Sequence, residues 1–217
     1  APSDPLMQLF RGNDSWHTDS SFQAVSAKAS ILSARKVPTE GGETEWADMR
    51  AAYTALPEAE RTRLAGLRAY HSLYHSQSTV GQGNSVTSHA LKLLHSQRTE
   101  NNTQPGYSEN DGEPPLRALI KVHPETEVPA LYIGRHAYDI VDMAKDASAK
   151  LLASLVAFAC QAPRVLTHCW RPGDAVMWDN RCVLHRARPW EPAEARAMFH
   201  TRVAGDPATE TAENKAA

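Results

Sequence analysis

Two residues near the start of the chain have the chemical character of metal ligands. His17 and Asp19 lie two positions apart in the segment WHTDSSF. On an extended strand, side chains two positions apart project to the same face, so an imidazole and a carboxylate could bind one metal ion together. A single H-x-D pair often arises by chance, and alone it is weak evidence for a metal site.

A third candidate ligand, His185, lies at the end of the segment RPGDAVMWDNRCVLH. This segment is typical of a turn, a strand, a second turn and a second strand, which can carry a side chain back to an earlier part of a sheet. Two histidines and one carboxylate on one face of a metal form the facial triad of non-haem Fe(II) oxygenases, with coordination positions left open for substrates. The sequence therefore predicts an Fe(II) site made by His17, Asp19 and His185.

Short strands are the elements expected to position these ligands. Turn residues separate most of the apolar or mixed runs that predict strands. Helices are predicted after Asp48, after Pro57 and in the segment ASAKLLASLVAFACQAP, where apolar residues recur at helical spacing. Many short strands with few helices favour a mainly β fold with flanking helices, a double-stranded β-helix (jelly roll) whose mouth can hold a metal. The predicted strands are 29–37, 119–123, 130–133, 165–170, 175–178, 183–185 and 197–203.

Length and composition favour a single domain. The chain has 217 residues, 41% of them hydrophobic, enough for one buried core. We expect one domain over residues 1–204 and a disordered tail over residues 205–217, which are polar and rich in alanine. The polar segment 77–115 is predicted to be a long mobile loop, either a lid over the site or a solvated insertion.

Charge and composition argue against several classes of protein. The formal charge of -2 provides no basic excess for nucleic acid. No apolar run reaches the roughly 20 residues of a membrane helix, and no signal peptide is evident, so we expect a cytoplasmic protein without a membrane partner. Cys160, Cys169 and Cys182 form no C-x-x-C pair and are predicted to be buried, reduced thiols. The sequence does not distinguish a monomer from a homo-oligomer.

In combination, the motifs resemble the taurine / 2,4-dichlorophenoxyacetate dioxygenase family of Fe(II)- and 2-oxoglutarate-dependent enzymes. The similar segments follow the family's order over nearly the whole chain, and they are WHTDSSF, GGETEWADMRAAY, KVHPET, YIGRHAYDI and GDAVMWDNRCVLHRA. The branch that acts on aryloxyalkanoate herbicides is the most similar, through VHPET, IGRHA, CQAPRV and WDNRCVLHRA. The resemblance implies a jelly-roll dioxygenase with iron at His17, Asp19 and His185.

The resemblance also implies a site for the co-substrate 2-oxoglutarate. Arg196 follows His185 by eleven positions, the spacing that the family shows. Arg196 and Thr44 are therefore expected to hold the tail carboxylate of 2-oxoglutarate. A guanidinium offers a planar fork to a carboxylate, and a hydroxyl adds one further donor.

A small anionic organic substrate and O2 are the other reactants that the resemblance implies. Asn13 and His136 are expected to face the substrate, and Arg202 or His200 to bind its anionic group and so orient it beside the iron. The implied reaction hydroxylates an aryloxyalkanoate and cleaves its ether to a phenol and an oxoacid. Two alternatives stay open: a dioxygenase for alkylsulfonates or sulfate esters, and a non-catalytic jelly-roll fragment that binds a small anion.

The N-terminal segment differs from the family. Sixteen residues precede His17 here, whereas family members carry a much longer segment that supplies strands and part of the substrate pocket. A fragment, an additional upstream segment and a naturally shortened protein are all compatible with this difference. In each case we expect an exposed sheet edge in the chain as given.

Overall fold

Two antiparallel sheets of three strands each form the centre of the fold. The structure is a computed structural model and describes residues 11–80 and 112–215. The first sheet contains β1 (Ala29–Lys36), β9 (Ala175–Asp179) and β11 (Ala197–Val203), in the order β11-β1-β9. The second contains β2 (Thr44–Asp48), β8 (Val165–His168) and β10 (Val183–Ala187), in the order β10-β2-β8.

Smaller elements flank these two sheets. A third sheet has the order β4-β3-β7, with β3 (Arg68–His71), β4 (Leu116–Ala118) and β7 (Ala137–Ile140), and β5 (Ile120–Val122) pairs with β6 (Pro129–Leu131) as a hairpin. The helices are α1 (Met49–Ala55), α2 (Glu58–Leu64), α3 (Leu73–Val80), α4 (Lys145–Ala159) and the short α5 (Pro207–Glu210). In the part of the chain that the structure describes, no helix is long and apolar enough to cross a membrane.

An aromatic core fills the space between the two central sheets. It contains Trp46 of β2, Trp178 of β9, Ala34 of β1 and the neighbouring Trp170, all buried. His185 of β10 is the antiparallel partner of Trp46, and residues directly opposite each other on paired strands project to the same face of the sheet. The pairing therefore directs His185 into the space between the sheets.

A second core lies on the outer face of the β10-β2-β8 sheet, under the helices. Ala47 and Leu184, one residue from Trp46 and His185, pack here with the apolar faces of α1 and α4. Asp48 caps α1 by accepting hydrogen bonds from the backbone N–H groups of Arg50 and Ala51. The helices therefore cover the outer face of this sheet, and its inner face is available for the site.

Most of the predicted strands and helices are present. The β5–β6 hairpin, α1, α2, α4 and the strands β1, β8, β9, β10 and β11 all fall where the sequence predicts them. Residues 77–80 belong to α3, although a loop was expected to begin at residue 77. Of the three cysteines predicted to be buried, Cys182 is buried, Cys160 is half-buried and Cys169 is exposed, and all three are free thiols. The rest of the predicted lid, residues 81–111, lies outside the described residues.

The C-terminal segment is ordered over residues 206–215, contrary to the expected disordered tail. Asp206 caps α5, and the Glu210 side chain is 1% exposed. Its carboxylate accepts a hydrogen bond from Ser26 Oγ at 2.9 Å and pairs with Lys121 Nζ at 2.7 Å. Polar composition predicted disorder because it does not reveal long-range contacts such as this buried ion pair, the bridge between Val25 and Thr211 and the hydrogen bonds of Asn214.

Replacing Glu210 with alanine is expected to destabilise the protein by about 3 kcal/mol, because it leaves Lys121 without its partner in a largely buried position. Urea denaturation measures this change in the free energy of unfolding. Glu213→Ala is the control, since Glu213 pairs with Arg68 at the surface and exposed pairs contribute about 0–1 kcal/mol. Equal effects of the two substitutions would show that the tail does not depend on the buried pair.

Candidate metal centre

His17, Asp19 and His185 converge in one buried site. Each offers one ligand atom, and the three atoms lie within 4.8 Å of one another. All three side chains are buried, with 4–7% of each exposed. The spacing and the chemistry of this set, two imidazoles and one carboxylate, suit one transition-metal ion of the Fe(II) type.

The segment that carries His17 and Asp19 is not the extended strand that the H-x-D spacing suggested. His17 forms a single antiparallel bridge with His185, in which each backbone N–H donates to the other residue's carbonyl, and a turn follows at once. Gly134 lies close against this bridge. Its φ is +122°, and a Cβ there would meet the Cα of His17 at 3.2 Å. Glycine thus allows the IGRHA segment to pack directly onto the ligand backbone.

The ring of His17 is oriented as a metal ligand requires. Its Nδ1 lies 2.8 Å from the carbonyl oxygen of Ser15 and donates to it, which leaves the Nε2 lone pair free. Burial lowers the pKa of His17 to about 4 and that of His185 well below its usual value, so both rings are neutral near pH 7. Within the described residues, Nδ1 of His185 is buried without a hydrogen-bond partner.

Asp19 is held as a carboxylate by the groups around it. Burial alone would raise its pKa, but a hydrogen bond from His200 and the charge of Arg202 keep the pKa well below its usual range. His200 Nε2 lies 3.1 Å from Oδ2, and Arg202 Nη2 lies 3.3 Å from Oδ1. Ser30 Oγ donates to Oδ2 at 2.6 Å. The ionised form is the one that binds a metal cation.

Thr44 and Arg196 lie at the same end of β2. Thr44 begins that strand, is buried, and accepts a hydrogen bond from Trp170 Nε1 at 2.9 Å, so its own hydroxyl hydrogen can be donated. Arg196 donates from Nε to the carbonyl of Gly42 at 3.2 Å, and its guanidinium lies over the ring of Trp190. Partial burial lowers its pKa. The two side chains could therefore supply a hydroxyl and the outer edge of a guanidinium to one carboxylate.

The residues predicted to face the organic substrate have different environments. His136 is buried beside the ligands, with its ring centroid 5.8 Å from that of His17 and its Nδ1 2.9 Å from Ser76 Oγ. Arg202 reaches the site but contacts Asp19. Asn13 lies in the 3-10 turn Arg11–Asp14, where its side chain is exposed. The structure thus brings His136 and Arg202 into contact with residues of the triad.

A second group, His123, Asp179 and Cys182, also has metal-ligand composition but is satisfied by protein contacts. His123 Nδ1 accepts from the backbone N–H groups of Glu125 and Thr126, so its Nε2 carries the hydrogen and donates to Asp179. The guanidinium of Arg181 also contacts Asp179, at 2.6 Å. These hydrogen bonds and this ion pair join the β5–β6 hairpin to the β9–β10 turn.

The jelly-roll sheets and the buried set of two histidines and one carboxylate define a protein of the non-haem metal oxygenase type. A family model described as "Taurine catabolism dioxygenase TauD, TfdA family" matches residues 1–202. The chain therefore belongs to this family of α-ketoglutarate (2-oxoglutarate)-dependent dioxygenases. The fold and the family predicted from the sequence are confirmed.

Relatives of known activity are similar over nearly the whole chain. An (S)-phenoxypropionate/alpha-ketoglutarate-dioxygenase of Sphingobium herbicidovorans is 47% identical over 97% of this chain and 69% of the relative. An enzyme of the same name from Delftia acidovorans is 46% identical over 96% of this chain and 67% of the relative. A 2,4-dichlorophenoxyacetate dioxygenase of a Burkholderia species is 38% identical over 89% of this chain and 59% of the relative.

Solved structures show the same architecture. AAD-2 in complex with Mn(II) and N-oxalylglycine superposes with a TM-score of 0.76 at 35% identity, covering 92% of this chain and 71% of that one. A taurine dioxygenase of Burkholderia xenovorans superposes with a TM-score of 0.68 at 26% identity, covering 90% and 59%. The Mn(II) ion and the N-oxalylglycine are bound to AAD-2 itself.

Proposed function

We propose that the chain is an Fe(II)- and 2-oxoglutarate-dependent dioxygenase that hydroxylates an aryloxyalkanoate and so cleaves its ether bond. The observation that carries the proposal is the convergence of His17, Asp19 and His185, with ligand atoms within 4.8 Å. The hydrogen bond from His17 Nδ1 to Ser15 supports it, because it reserves Nε2 for a metal. The names of the relatives support the choice of substrate class.

In this proposal His17, Asp19 and His185 hold Fe(II). Bound iron would supply the redox chemistry that uses O2 to convert 2-oxoglutarate to succinate and CO2 and to oxidise a substrate C–H bond to an alcohol. The protein contributes neutral imidazoles, an ionised carboxylate and a buried site. From the β11 side, Arg202 pairs with the carboxylate of Asp19 and His200 contacts the same group.

Thr44 and Arg196 would bind the tail carboxylate of 2-oxoglutarate. The Thr44 hydroxyl oxygen accepts a hydrogen bond from Trp170, so the hydroxyl hydrogen is available to donate to the carboxylate. The Nε of Arg196 donates to the carbonyl of Gly42, and its guanidinium carbon lies over the Trp190 ring at 5.1 Å from the centroid. A guanidinium held in this way has less entropy to lose when it binds a carboxylate.

The substrate would lie beside His136, with its carboxylate directed to Arg202. Binding the carboxylate end of the substrate to a fixed cation would place the carbon that bears the ether oxygen beside the metal. Hydroxylation of that carbon forms a hemiacetal or hemiketal, in which the bond between the hydroxylated carbon and the aryloxy oxygen breaks as the hydroxyl proton passes to the departing oxygen. The products are a phenol and an oxoacid.

Turnover of a substrate panel tests this proposal. With Fe(II), 2-oxoglutarate and O2, a 2-aryloxypropionate is expected to yield equimolar succinate and phenol. Alkylsulfonates and alkyl sulfate esters serve as the comparison, because a hydroxylated carbon beside those groups releases sulfite or sulfate and an aldehyde. Succinate formation driven only by the sulfur compounds would refute the aryloxyalkanoate assignment, and no metal-dependent succinate with any compound would support a binding role without catalysis.

A further inference from the structure

A chain of buried hydrogen bonds ends on the carboxylate of Asp19. Trp178 Nε1 donates to Asn180 Oδ1 at 2.9 Å, Asn180 Nδ2 donates to Ser30 Oγ at 2.8 Å, and Ser30 Oγ donates to Asp19 Oδ2 at 2.6 Å. Ser30 is fully buried, Asn180 is 1% exposed and Trp178 is 7% exposed. Water therefore has little access to these groups, and the bonds have few competitors.

The indole of Trp178 determines which group donates in each hydrogen bond of this series. An indole N–H can only donate, so the atom of Asn180 that it contacts is the amide oxygen. The amide nitrogen of Asn180 then faces Ser30 and must donate to it. Because the hydroxyl of Ser30 accepts that bond, its single hydrogen is available for Asp19.

The register of the sheet explains how these groups meet. Ser30 on β1 is paired with Trp178 on β9 and with Arg202 on β11, so the three side chains lie side by side on the inner face. Asn180 follows β9 directly, and Thr18 Oγ1 donates to its backbone carbonyl at 2.7 Å. Thr18 lies between His17 and Asp19, so the turn that carries Asn180 is tied to the ligand segment at Thr18 and, through Ser30, at Asp19.

We infer that Ser30 is a positioning residue for the carboxylate ligand, oriented in turn by Asn180 and Trp178. The inference rests on the proposed function, since it concerns a metal held by Asp19. A hydrogen bond to Oδ2 fixes the rotation of the carboxylate about its Cβ–Cγ bond, so the group needs less ordering when a metal binds. Hydrogen-bonded partners of ligating carboxylates commonly have this effect on metal sites.

Co(II) titration of the purified chain tests the inference without any turnover. Ser30→Ala is expected to weaken Co(II) binding about 10- to 100-fold, the usual range for a lost partner of a metal ligand. The visible absorption of bound Co(II) is expected to change as well, because the carboxylate loses the shortest of the hydrogen bonds that fix its orientation. Ser30→Thr retains the hydroxyl and is expected to restore both the affinity and the spectrum.

Ser26→Ala is the matched control. Ser26 is also fully buried and also donates to a buried carboxylate, Glu210, but in the C-terminal segment. Unchanged Co(II) affinity in Ser30→Ala, or an equal loss in Ser26→Ala or in Ser30→Thr, would overturn the inference. Failure of the unmodified chain to bind Co(II) would instead refute the proposed metal centre, and the positioning role with it.

Discussion

Replacing His17 or Asp19 with alanine is expected to abolish Fe(II)-dependent turnover of 2-oxoglutarate. Removing a ligand leaves two donors for the ion, so the loss of metal affinity should exceed the roughly 10- to 100-fold that follows loss of an outer partner. Succinate formation measures the activity. The rise in melting temperature that added Co(II) causes measures the metal site separately, because a ligand that binds only the folded state stabilises it.

His168→Ala is the control for this pair of substitutions. His168 is a half-buried histidine that pairs with Asp174 at 3.0 Å and has no predicted ligand role. It is expected to keep both the activity and the Co(II)-dependent rise in melting temperature. Retention of full iron-dependent activity in both His17→Ala and Asp19→Ala would show that the metal lies elsewhere.

Replacing Arg196 with glutamine is expected to weaken 2-oxoglutarate binding by about 10- to 150-fold. A charge-assisted hydrogen bond contributes about 1.5–3 kcal/mol, which corresponds to that range of affinity. Arg196→Lys keeps the charge but loses the planar fork, so its effect should be smaller but still measurable. Calorimetric titration with 2-oxoglutarate in the presence of Co(II) reports the affinity, and the KM for 2-oxoglutarate reports it under turnover.

Arg188→Gln provides the matched control for the co-substrate site. Arg188 is exposed and lies on the same connection between β10 and β11. Its substitution changes the net charge equally and is expected to leave the 2-oxoglutarate affinity unchanged. Equal weakening by both substitutions would indicate a general charge effect, and no weakening by Arg196→Gln would remove Arg196 from the site.

The sequence predicted the central strands well because their patterns depend on local chemistry. Strand β11 occupies the predicted range, and α4 follows the predicted apolar periodicity. The third sheet was not predicted. Its strands have three or four residues each and mix apolar with polar side chains, so their formation depends on partners distant in the sequence.

The triad could be predicted because its residue types are restrictive and a family resemblance connected two distant segments. Ser30 could not be predicted, since a serine in a strand is chemically ordinary until register places it beside Asp19. Asn180 was part of the WDNR segment, yet its role required the direction of the Trp178 hydrogen bond. Residues that act through other residues become visible only when the pairing of strands is known.

Strand β11 is an edge strand in the described part of the sheet, where it pairs with β1. It also carries His200 and Arg202, whose side chains both contact the carboxylate of Asp19. Edge strands open locally at a lower free-energy cost than strands with two neighbours. A brief separation of β11 from β1 would therefore remove both contacts from the ligand at once, which links the orientation of the carboxylate ligand to a local unfolding equilibrium.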